Sequence, residues 1–206
     1  MTKGVRLADG FSMLETLIVV ALIGIISAIA VPSVANALAN FRLSGDTRSV
    51  SNAIALVKMR ASSNFTRVRL YVDLSGRSHH LESWVKTPGL TPPGHWTAVG
   101  GTSYLSTNTS FSYGAVTVAP PSTQATIDHA PPCLANDAIT VIANTACVVF
   151  NSRGVPIDGS PAAAPTALDA VYLTDGRAVN AVTVSATGMT RVWSAPPVST
   201  PLWVRQ

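Results

Sequence analysis

The side chains able to do chemistry in this chain are few. His79, His80, His95 and His129 could act as bases or metal ligands, and Cys133 and Cys147 as thiolates or as a crosslink. A structural zinc site needs four such ligands, and a nucleophilic site needs a serine or cysteine beside a histidine held by a third group. Neither spacing is present: His129 with Cys133 and Cys147 is too sparse a set, and no serine falls into a triad pattern. The histidines are therefore expected at the surface, with no metal, no cofactor and no enzymatic activity. The two cysteines imply a disulfide in an oxidising compartment and two thiols in a reducing one. Arg67, Arg69, Arg77 and Arg191 could neutralise phosphates, the main source of affinity for DNA, but arginines scattered in this way more often make a solvated face. Glu15 is different in kind. It is the single charge between Phe11 and Val31, and a charge inside an apolar helix costs about 3 kcal/mol on membrane-insertion scales and marks function.

The elements that must position these residues begin with that apolar run. Phe11 to Val31 would rise about 31 Å as a helix, close to the ~30 Å hydrocarbon core of a bilayer. Lys3 and Arg6 precede it and would stay cytoplasmic, placing the rest of the chain outside. A cleaved secretory signal, with Ala28-Ile29-Ala30 as its small-residue site, and a plain signal anchor both fit the hydropathy. Neither accounts for Glu15.

The string Gly10-Phe11-Ser12-Met13-Leu14-Glu15-Thr16-Leu17-Ile18-Val19-Val20-Ala21-Leu22-Ile23-Gly24-Ile25-Ile26 resembles the class III signal of type IV prepilins and pseudopilins. The resemblance implies cleavage after Gly10 by a membrane prepilin peptidase, N-methylation of Phe11, and retention of the apolar helix. It gives Glu15, fifth after the cut, the role of engaging the N-terminal amine of a neighbouring subunit during assembly, and puts a helix kink at Pro32. The alternative for Glu15 is a carboxyl solvated at the membrane surface. Charge pairing has the physical logic, since a carboxylate at low dielectric gains strongly from a nearby cation and is costly alone.

Of the 206 residues, 47% are hydrophobic and 12% charged, with 14 Gly and 14 Pro. That composition describes an apolar segment joined to an uncharged, turn-rich β domain of ordinary core size. The net charge of +4 is too small to indicate nucleic-acid binding, and the basic excess sits between Arg42 and Lys86.

Beyond Pro32 the spacing of Val34, Leu38, Phe41, Val50, Ile54, Val57 and Ala61 predicts an amphipathic helix that Gly45 interrupts. Residues 12–64 as helix would approach about 80 Å. Thr66 to Leu74 alternates, with Val68, Leu70, Val72 and Leu74 on one face and Arg67, Arg69, Tyr71 and Asp73 on the other, so it reads as a strand packed on the helix. Further strands are predicted at 79–86, 112–118, 138–142, 146–150, 167–173, 179–186 and 190–193, and loops at 87–101, 119–132 and 159–165. The fold class is α+β, a long helix packed on an antiparallel sheet. The domains expected are a leader at 1–10, a transmembrane helix at 11–31, an amphipathic extension at 32–65 and a periplasmic β-rich, pilin-like domain at 66–206.

Three shorter segments narrow the resemblance to the H-type minor pseudopilins of type II secretion and the related T-type minor pilins. They are Ala55 to Leu70 with Met59-Arg60 and Arg67-Val68-Arg69-Leu70; Cys147-Val148-Val149-Phe150-Asn151-Ser152-Arg153-Gly154; and Val182 to Arg191. The resemblance implies a single-pass protein of the bacterial inner membrane with its C-terminal domain in the periplasm. Its partners would be other pilins or pseudopilins, the prepilin peptidase, the assembly platform and membrane lipid. Its work would be structural, initiating, capping or modifying a filament. The rival is a DNA-binding minor pilin of competence, through Arg67, Arg69 and Arg191. Where some T-type pilins have glycine-arginine-x-arginine, this chain has Gly188-Met189-Thr190-Arg191, so DNA is not the expected partner.

Overall fold

A computed structural model describes residues 12–89, 94–166 and 168–206. The chain divides into two compact units, Met1–Asn40 and Phe41–Gln206. The first helix, α1 (Met13–Ser63), supplies the described part of the first unit and the opening of the second. The amides of Glu15 and Thr16 bond back to the Ser12 carbonyl at its start, and Glu15 lies in the first turn, where the helix dipole favours an acid. At the far end the Thr66 amide reaches the Ala61 carbonyl while Phe65 takes a left-handed φ of 51°. This closes the helix by the motif that usually uses glycine.

Among the described residues the second unit holds nine strands in two antiparallel sheets. One has the order β3 (Gly94–Tyr104), β2 (Ser78–Lys86), β1 (Val68–Asp73), β4 (Thr145–Phe150), β5 (Pro156–Ile157). The other runs β6 (Asp169–Thr174), β7 (Val179–Val184), β8 (Thr190–Ala195), β9 (Val204–Arg205). The fold is α+β, as the sequence predicts. Leu43, Val50, Ala53, Ile54, Val57 and Ala61 form the buried stripe of α1, in steps of three and four. They share one core with Val68, Leu70 and Val72 of β1, Val148 and Phe150 of β4, and Val171, Leu173, Val182 and Val184 of β6 and β7. The alternation of β1 thus places its apolar face on the helix.

Several expectations are corrected. Gly45 does not interrupt α1. A helix-interior glycine costs roughly 1 kcal/mol relative to alanine, and here it stands between buried Leu43 and buried Asp46 and Thr47, whose packing holds the helix. Val34, Leu38 and Phe41 remain exposed, so the packed stripe begins only at Leu43. The segment 94–104, of which 94–101 is expected as the end of a loop, is the longest described strand; its residues pair with β2, and Trp84 and Trp96 meet across the ladder at 5.1 Å. Conversely 112–118 and 138–142 are not strands. Gly114 turns with φ 56°, and Asp137 captures the amides of Ile139 and Thr140 in a side-chain turn that competes with strand pairing.

The long segment 105–144 covers what the sequence leaves open. Val116, Ala119 and Ile127 pack with Ala170, Tyr172, Ala181, Trp193 and Trp203 on the second sheet's other face. Cys133 packs with Cys147, Val149 and Ile157 on the first sheet's other face. β4, β6 and β7 are therefore buried on both faces, while β3 stays largely exposed.

Candidate functional site

Gly10 and Phe11 lie outside the described residues. From Met13 to Val31 every described side chain is exposed, including Met13 at 87%, Leu14 at 68% and Ile29 at 71%. The helix is long and apolar enough to cross a membrane, with a mean hydropathy of 2.7 over its most apolar 18 residues. Glu15 is exposed among these apolar neighbours, and among the described residues its carboxylate makes no hydrogen bond or ion pair. The helix is continuous through Pro32.

The three segments that narrow the resemblance meet in space. Lys58 of α1 donates from Nζ to the Gly188 carbonyl at 3.0 Å. Gly188 (φ 73°) has no room for a side chain, because a Cβ there would lie 2.6 Å from the Gly154 carbonyl and 3.1 Å from the Phe150 ring. Gly154 (φ 72°) in turn lies against the Lys58 methylenes. The turn after β4 and the β7–β8 hairpin thus close on the last turns of α1, locking helix and both sheets together. A second tie runs from Asn180 Nδ2 to Thr47 Oγ1 at 2.9 Å, with Thr47 bonding on to the Leu43 carbonyl.

Cys133 and Cys147 are joined, with Cα atoms 4.9 Å apart, and both are buried. The Cys133 amide donates to Thr145 Oγ1, and the Cys147 amide to the Pro131 carbonyl. The crosslink therefore pins residues 131–133 onto β4.

The arginines do not gather into one surface. Arg69, expected on the solvent face of β1, is 3% exposed beneath that pinned segment. Its Nε donates to Glu82 at 2.5 Å, Nη1 donates to the Leu134 carbonyl at 2.6 Å, and the guanidinium stacks 4.2 Å from the Trp96 ring. Burial lowers its pKa, with Glu82 opposing. With its donors engaged in this way, Arg69 is withdrawn from the phosphate role. Arg77 holds the Thr109 and Ser106 carbonyls. Arg67 is half-buried near the Ser160 carbonyl and over Trp84. Arg191 belongs to the other sheet, half-buried beside Met189, with its Nε unpartnered.

Two of the histidines correct the sequence reading as well, while His95 is exposed as expected. His79 is buried at 3% exposure, against Phe111, with Nε2 3.5 Å from Ser49 Oγ and Nδ1 without a partner. Burial lowers its pKa, with Asp46 opposing. His129 is half-buried between Tyr113 and Tyr172, and its Nδ1 accepts the Tyr172 amide. Burial pushes its pKa down to about 4. Among the described residues no group of three or more His, Cys, Asp or Glu side chains could hold a metal. Buried Asp46, which accepts the Ser106 amide and hydroxyl, escaped the sequence reading although its place between Leu43 and Val50 puts it on the buried stripe.

No protein-family model matches this chain, and no curated protein matches it. Among solved structures, the minor pseudopilin EpsH from the Type 2 Secretion System of Vibrio cholerae is similar at 12% identity and a TM-score of 0.42, over 73% of this chain and 94% of that one. A likeness at that identity and score bears no functional argument.

Proposed function

We propose that this chain is a structural subunit of the pilin and pseudopilin kind, held in the bacterial inner membrane by α1 and assembled with like subunits into a filament. One observation carries the reading: residues 13–31 of α1 are apolar, wholly exposed and uncharged but for Glu15, while the same helix continues into a stripe buried in the domain. An apolar surface of that extent is costly in water and needs a bilayer or other helices around it. At 1.5 Å per residue its 19 residues span about 28 Å, the thickness of the hydrocarbon core. In this reading a prepilin peptidase cuts after Gly10 and Phe11 becomes the methylated N-terminus. Residues 32–206 lie on the periplasmic side, and the helix bends at Pro32. Glu15 pairs with a neighbour's terminal amine as the helix leaves lipid for the filament. The minor-subunit assignment rests on the segments that meet at Lys58, and fits either type II secretion or a type IV pilus.

Mass analysis of the N-terminus of membrane-extracted protein tests this. An N-methylated Phe11 is expected, and a start at Val31 would sink the proposal. Glu15→Gln should be processed normally yet fail to enter filaments; normal incorporation would remove the pairing role. The DNA-capture reading has less support, having lost Arg69 to the interior, and would need Arg67 and Arg191 to act from separate sheets.

A further inference from the structure

A groove of about 250 Å³ runs between α1 and the β2–β3 end of the first sheet, entirely within the second unit. One wall is formed by α1, with Ser49, Asn52 and Arg60 beside the apolar Ala53 and Leu56; the other includes His79, Gly100 and Gly101. Its shape comes from a break in the ladder. Leu81 pairs with Val99 and His79 with Ser103, so His80 alone faces residues 100–102. Gly100 takes φ 91°, and neither Gly100 nor Gly101 has anything within 4 Å of where a Cβ would be. The backbone there is open and outside the ladder register, as in bulges that open a sheet edge. β3 is also the sheet's edge strand, and over its 11 residues it carries no Lys, Arg, Asp, Glu or Pro to guard that edge.

The electrostatics favour one sign of ligand. Arg60 has no hydrogen bond or ion pair from its guanidinium among the described residues, and the described lining contains no carboxylate. The nearby acids are engaged elsewhere: Asp46 holds the Ser106 amide and hydroxyl, and Glu82 holds Arg69 and His80. His79 Nε2 lies 3.5 Å from Ser49 Oγ and its buried Nδ1 has no partner, a deficit a native structure seldom leaves unexplained.

We infer that this groove binds an extended polypeptide segment from another protein, whose Asp or Glu side chain pairs with Arg60 while its backbone bonds to the open strand edge at Gly100–Thr102. The volume is below the ~300–1,000 Å³ of pockets for drug-sized molecules and suits one acidic side chain with its adjoining backbone. Strand addition at an edge supplies the backbone part of such recognition. The inference stands independently of the leader, the membrane segment and the filament.

The test uses the full chain in nonionic micelles, with ¹⁵N labelling and the peptide acetyl-(Glu-Thr)₃-amide as probe. Saturable shifts of the Gly100 and Gly101 amides are expected, absent with acetyl-(Gln-Thr)₃-amide and weakened about tenfold or more in Arg60→Gln, a half-exposed position whose thermal melt should not move. Arg60→Lys should retain part of the affinity. No saturable shift, equal binding of the glutamine peptide, or unchanged affinity in Arg60→Gln would overturn the inference. Sodium acetate or phosphate reproducing the shifts at the same concentration would overturn it too, by showing a free-anion site.

Discussion

Arg69→Leu is the sharpest probe of how the domain is held together. The guanidinium makes two charge-assisted hydrogen bonds, to Glu82 and to the Leu134 carbonyl, each worth about 1.5–3 kcal/mol, and a desolvated stack on Trp96 worth roughly 2 kcal/mol. Against that gross attraction stands the desolvation of both ions, several kcal/mol each, so the pair as a whole contributes little net stability. Removing one partner is another matter, because Glu82 is then left poorly solvated at 14% side-chain exposure with only His80 nearby. The expected loss is about 3–5 kcal/mol. The double variant Arg69→Leu/Glu82→Leu should recover most of it, leaving about 1–2 kcal/mol for the orphaned Leu134 carbonyl. Urea unfolding of the full chain in micelles, followed by tryptophan fluorescence, measures all three, since Trp96 touches the site. A loss under about 1 kcal/mol for the single variant, or additive losses in the double, would refute the reasoning.

Gly188→Ala should lower stability by at least about 2 kcal/mol, since it adds a left-handed residue and a Cβ 2.6 Å from the Gly154 carbonyl, whereas Gly45→Ala in open helix should raise it by roughly 0.5–1 kcal/mol; thermal melts compare the two. Cys133→Ser/Cys147→Ser, closing no loop across the sequence separation of 14, should cost about 3 kcal/mol in denaturant titrations relative to the oxidised protein. His129, ordinarily near 6.5, is pushed by burial to about 4 in the folded state, so the unfolded chain binds its proton first as pH falls. That stability is fully present above about 6.5 and is lost towards pH 4, by up to about 3 kcal/mol, and His129→Gln should flatten the slope of unfolding free energy across that window.

The sequence by itself determined the long helix with its exposed apolar start, the alternation that sets Val68, Leu70 and Val72 against it, and six of the nine described strands to within a few residues. Those are local signals: a period of 3.6 or 2 states which side chains share a face. What covers the opposite face is decided by chain far away, and there the reading of residues went astray. Arg69 alternates like a solvent-facing residue, yet residues 131–134, tied down through Cys133 and Cys147, seal it in. His79 reads as a surface base until Phe111 and α1 close over it. β3 hid in a stretch rich in glycine because its order comes from pairing with β2, not from propensity, while 112–118 and 138–142 had propensity without a partner. Only the tertiary structure decided which polar groups became part of the interior and which, like Arg60, were left free to meet another molecule.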